Sequence, residues 1–133
     1  VLLRRRSRMQ AWTARFDTSK GEVAWIARDL IPNLALSPTA QQVAGGWRVS
    51  ADRVQATEDG LTALEADAPD EAQRARARTL RDAVRSARAR LDALGESHDP
   101  AAAGNALHLS TTELEAALAS VDPPPQPSAG PPR

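Results

Sequence analysis

Apolar residues recur at alternating steps of three and four along three stretches of the chain. The first stretch runs Met9, Trp12, Phe16, Ser19, Val23, Ile26, Leu30. The second runs Ala40, Val43, Trp47, Ser50, Val54, Thr57, Leu61, Leu64, and the third Ala77, Leu80, Val84, Ala87, Leu91, Leu94. A 3,4 alternation is the seam of helices that pack nearly parallel or antiparallel. It sets the fold class as all-α and leaves little room for a catalytic cleft. The spacing predicts an antiparallel three-helix bundle, with long helices over residues 8–31, 38–66 and 69–94.

Punctuation residues place the ends. Pro32 is expected to end the first helix, because the residue before a proline is pushed out of the helical region. Ser37 reads as the N-cap of the second helix, with Pro38 at its first position. Gly45-Gly46 softens the start of that helix. The turn Asp67-Ala68-Pro69-Asp70 closes a helical hairpin, with Asp70 and Glu71 at the positive end of the third helix. Gly95 stops that helix. Residues 96–109 lack a clear period and read as a loop. Ser110-Thr111-Thr112-Glu113 has the form of a capping box and opens a short fourth helix over about 111–121. The chain thus divides into a basic flank (1–7), a bundle domain (8–121) and a Pro-rich tail (122–133) that suits an extended, unpacked conformation.

Short connections force antiparallel neighbours. The expected pairing sets Val23 beside Trp47, Ser19 beside Ser50 and Phe16 beside Val54. The next pair sets Val54 beside Val84, Ser50 beside Ala87 and Trp47 beside Leu91. Ser19, Ser50 and Ala87 then form one small-residue layer. Close backbone approach is the expected consequence, since interiors are densely packed. A ligand niche in that layer, and hence a small-ligand sensor, is the alternative.

Formal net charge is zero, with 17 basic and 17 acidic residues, so no global field draws the chain to nucleic acid. Arg74, Arg78, Arg81, Arg85 and Arg88 form a stripe one position after the seam of the third helix. Glu58 is expected opposite Arg78 and Arg81, and Asp52 opposite Arg85 and Arg88, as flanking salt bridges that select register. A nucleic-acid surface built on this stripe with Arg76 and Arg90 is the alternative reading; nucleic acid is not the expected partner.

Chemistry-bearing constellations do not emerge. The chain has no Cys, and His98 and His108 fit no zinc spacing. Ser110 reads as a cap with no base beside it, and the carboxylates sit at helix ends or on exposed faces. No catalytic or metal-ligating residue is nominated, no cofactor is expected, and the expectation is a non-enzymatic protein.

Val1-Leu2-Leu3 is followed by Arg4, Arg5, Arg6 and Arg8, with Trp12 beyond. Three apolar residues are far short of the roughly 20 a bilayer span needs. The pattern has the form of the last residues of a span and its cytoplasmic basic flank, so these four arginines and Trp12 are expected at the membrane surface, where each basic residue contributes about 1 kcal/mol toward anionic lipid.

The segments Ala11–Arg15, Glu22–Pro32, Gly46-Trp47 and Leu61–Asp70 resemble uncharacterised actinobacterial membrane proteins, in which one amino-terminal span precedes an Arg cluster and an Ala/Arg-rich helical domain. The resemblance covers about Arg4 to Leu94. It implies a place at the cytoplasmic face of the cell membrane and carries no activity. The combined expectation is a membrane-tethered interaction or scaffold module. A protein partner would dock on an apolar strip for which Trp25, Leu34 and Leu36 are the candidates, and a face left open by the three seams would serve a homodimer.

Overall fold

The computed structural model of the chain describes residues 2–96 and 99–122. Their elements are α1 (Leu2–Trp25), a π turn (Ile26–Leu30), α2 (Ile31–Ala35), α3 (Ala40–Ala66), α4 (Glu71–Asp92), a 3₁₀ turn (Ala93–Glu96) and α5 (Pro100–Val121). The described chain is a helical bundle, as the seams predict. α1 and α2 form one continuous rod, and the rods pack in the cyclic order α1/α2, α3, α4, α5. Successive rods alternate in direction. Phe16, Ile26, Leu61, Leu80, Leu91 and Leu114 are all but fully buried and draw the core from every rod.

Three expectations are corrected. The first rod starts at Leu2 rather than residue 8 and does not stop before Pro32. The Ile31 N–H reaches back to the Ile26 carbonyl, five residues away. A proline lacks the N–H for its own helical bond, and its ring crowds the carbonyl four residues before it. The wider π turn relieves that crowding and lets the rod run to Ala35. The turn to α3 therefore falls later, and Thr39 rather than Ser37 caps α3: its hydroxyl accepts from the Gln42 N–H at 3.1 Å.

Moving the turn slides α1 along α3. Ser19 lies against Gly60, where an added Cβ would sit 3.7 Å from the Ser19 Oγ. Ser50 is ten residues earlier on α3, about 15 Å away at the helical rise, so the Ser19/Ser50/Ala87 layer does not form. The expected Trp47 level on α4 does hold: the Trp47 indole N–H donates to Asp92 at 2.8 Å.

The third correction concerns the fourth helix, which starts at Pro100 and not at 111. Asp99 caps it, accepting from the Ala101 N–H at 3.0 Å, and Pro100 sits at its first position. Residues 100–109 are helix rather than loop. Ala103, Leu107, Ser110, Leu114, Ala117 and Val121 are buried on one face and continue the 3,4 alternation. Ser110 and Glu113 do not form a capping box in mid-helix. Both side chains turn to Arg90 instead, at 3.4 Å.

Candidate functional site

An apolar recess lies where α2, the start of α3 and the start of α5 meet. It is a cleft of about 410 Å³, within the roughly 300–1,000 Å³ usual for ligand sites. Its existence follows from what the sequence places there. Pro32, late in the first rod, Pro38, in the turn before α3, and Pro100, at the first position of α5, line it. Short or ring-bound side chains replace the long ones that fill the rest of the core. Ile31, Val43, Ala103 and Leu107 supply a buried apolar floor. Ser37, Thr39, His108 and Thr111 supply polar atoms at its edge. Gly104 also lines it, and a Cβ added there would meet nothing within 4 Å. No Asp, Glu, Lys or Arg is among the lining residues.

Aromatic rings fill the core toward the opposite end. Trp12 is buried, donates its indole N–H to the Leu64 carbonyl at 2.8 Å, and stacks on Phe16 with ring centroids 5.0 Å apart. The Arg76 guanidinium lies 4.6 Å over the Phe16 ring and donates twice, at 3.1 and 2.9 Å, to the Val121 carbonyl that ends α5. A cation on the last carbonyls of a helix satisfies acceptors the helix cannot. Trp12 is thus a core residue and not a membrane-surface residue, a correction that its place on the seam already foreshadows.

The remaining nominated residues separate. Arg6 and Arg8 are exposed, and Arg8 borders a second recess, of about 340 Å³, with Met9, Pro69 and Asp70. The side chains of Arg4 and Arg5, the tail from Pro123 on, and His98 lie outside the described residues. Leu34 is buried against Gly46 and so is not a docking residue. Trp25 is half-buried beneath Arg53, whose guanidinium sits 3.7 Å over its ring while binding Glu22 through two hydrogen bonds at 2.9 and 3.0 Å. Leu36 alone of the three stands exposed, at 80%. Among the described residues no helix is long and apolar enough to cross a membrane.

The arginine stripe is engaged within the chain. Arg85 and Arg88 hold the buried Glu58, at 3.2 and 2.7 Å, and Arg78 and Arg81 hold Glu65. The partners of Glu58 lie seven residues further along α4 than expected, on the two arginines expected opposite Asp52. Side chains tilt toward the N-terminus of their own helix. Across an antiparallel pair, glutamate and arginine heads therefore meet only when the arginine starts about one to two turns further on. Arg74 pairs with Glu71, and Arg90 with Glu113.

These contacts set the electrostatics. The Arg88 hydrogen bond, aided by Arg85, holds the Glu58 carboxyl below its ordinary value against the opposing effect of burial. Arg78 does the same for Glu65, Arg28 for Glu115, Lys20 for Asp122 and Arg53 for Glu22. A general acid needs the opposite shift at neutral pH. These carboxylates work as fixed anions that pin one rod to the next.

Sequence reasoning missed the cleft. The available signal was three prolines, each one at or next to a helix start or late in a rod, that topology gathers at one end. Comparison with protein-family models, with curated proteins and with solved structures finds no match to this chain.

Proposed function

We propose that this protein is a non-enzymatic helical binding module that recognises its ligand or partner at the cleft between α2, α3 and α5. The observation that carries the reading is an apolar recess of about 410 Å³ with no Asp, Glu, Lys or Arg in its lining, whereas the depression at the other end is lined by Arg8 and Asp70. The described carboxylates whose acidity is shifted are all depressed by basic neighbours, which suits a scaffold better than acid–base chemistry. The arginine stripe lends little to a nucleic-acid surface, because its guanidiniums already hold Glu58, Glu65, Glu71 and Glu113.

A cleft-filling variant tests the proposal. Gly104→Leu places a side chain where a Cβ has open space, and leucine favours the helix. Wild-type and variant chains are exposed to cell extract, repurified, and compared for retained small molecules and proteins by mass spectrometry. A species retained by the wild type and lost by the variant supports the proposal. Identical profiles overturn it.

The membrane-tethered form of the module rests on a separate observation. Arg6 and Arg8 are exposed and make no ion pair among the described residues. Co-sedimentation with phosphatidylserine vesicles, reduced in Arg6→Glu/Arg8→Glu, is the expected result; equal recovery with zwitterionic vesicles removes this reading.

A further inference from the structure

We infer that the occupant of the cleft is a small neutral amphiphile, a hydrocarbon body with a single hydrogen-bonding end. The inference rests on the binding-module reading and names the ligand class.

Size comes first. A docked helix has a diameter of about 10–12 Å with its side chains and needs a groove several turns long. This recess is confined to the meeting point of one short helical segment and two helix starts. At about 30 Å³ per water-sized group, its 410 Å³ holds on the order of a dozen such groups. That is the size of a short-chain alcohol or a single substituted ring.

Charge comes second. The lining residues include no carboxylate, guanidinium or ammonium. An ionised head would find no counter-charge among the lining residues and would give up part of its hydration at the cleft edge, a larger cost than that of a neutral hydrogen-bonding group, which finds hydroxyl partners there. The polar atoms on offer belong to two hydroxyl side chains on the α2–α3 turn, and to His108 and Thr111 on α5.

Polarity along α5 orients the ligand. Pro100, Gly104, His108 and Thr111 all line the cleft and follow one another by four, four and three residues, so they share one helix face. That face is apolar over its first two members and polar over the last two. The hydrocarbon body therefore lies over Gly104, between Pro100 and Leu107, and the hydrogen-bonding end reaches His108 and Thr111. Gly104 fits this arrangement: glycine in a helix interior costs about 1 kcal/mol relative to alanine, no neighbour needs its smallness, and the ligand body takes the vacant space.

The test is a titration of the full chain with 1-octanol, followed by NMR of the Ile31, Val43 and Leu107 methyl groups. Saturable shifts at these methyls are expected. Octylammonium, with the same body and a charged head, binds at least tenfold more weakly. Gly104→Leu abolishes the octanol shifts while melting no lower than the wild type, and His108→Ala weakens octanol severalfold. No saturable shift, shifts that survive Gly104→Leu, or octylammonium binding as well as octanol overturns the inference. If octanol fails while extract yields a species that only the wild type retains, the binding module stands and the small neutral ligand falls. If neither occurs, both fall.

Discussion

The two ends of this bundle are built from different stock. One end has Trp12 and Phe16 stacked in the core, with Arg76 lidding the ring and closing the last turn of α5. The other has Pro32, Pro38 and Pro100 around a floor of aliphatic side chains, and it stays open. The half with the cleft has a buried ring too, Trp47, but that ring turns to Asp92 on α4 and is not among the residues that line the opening. In this bundle the apolar cleft forms where prolines and short side chains meet at the starts of α3 and α5.

The strongest way to break this contrast is one substitution made at both ends. Leu64 is buried at the ring-filled end and Leu107 borders the cleft. Leu64→Ala leaves an enclosed void and should cost about 3–4 kcal/mol, whereas Leu107→Ala enlarges an existing opening and should cost about 2 kcal/mol. Urea unfolding of the two variants measures the difference, and equal costs would mean that the ends are packed alike.

A smaller effect is expected from the charges. Glu58→Ala removes a buried anion from two arginines, both of which reach solvent, and should cost about 2 kcal/mol, less than a fully enclosed pair would. His108→Ala on the cleft edge should leave stability within about 0.5 kcal/mol. The same unfolding curves report both.

Glycines sharpen the comparison further. A Cβ on Gly46 would lie 2.7 Å from the Leu34 Cδ2, and Leu34 is buried. Gly46→Ala should therefore destabilise by about 1 kcal/mol despite its better helix propensity, and Gly104→Ala should stabilise by up to about 1 kcal/mol. Thermal melts that shift in opposite directions are the expected result.

Acid gives the mildest and most local response. Glu58, Glu65 and Asp122 have carboxyls depressed by Arg88, Arg78 and Lys20 respectively. A depressed carboxyl contributes fully above its unfolded value, which is 4.5 for Glu and 3.8 for Asp. That contribution is lost as pH falls through the lower, folded value. No such carboxyl lines the cleft. Hydrogen exchange measured as pH drops below about 4.5 should show the C-terminal turns of α3 and α5 loosening before the residues around Pro38 and Gly104.

Much of the bundle was legible because burial obeys the seam. Val23, Val54, Leu80 and Leu91 stand on the predicted stripes and are buried. What failed was punctuation. Pro32 reads as a stop locally, yet a π turn carries the rod past it, and one displaced turn then moved every α1–α3 neighbour. Residues 100–109 hid a helix because Ala, Gly and Asn give a faint period, while the Ser110–Glu113 cap pattern drew the boundary eleven residues late. Asp99-Pro100 was the better start signal. Trp25 and Leu34 looked like docking residues because a sequence does not say which neighbour covers them: Arg53 covers one and Gly46 receives the other.

The alternating directions of the rods carry a geometric consequence. An even number of passes returns the chain to the side from which it set out, so Leu2 and Asp122 both belong to the Trp12 half of the molecule. The chain enters the bundle at Leu2 and leaves it at Asp122 in that half, opposite the mouth near Pro38 and Pro100.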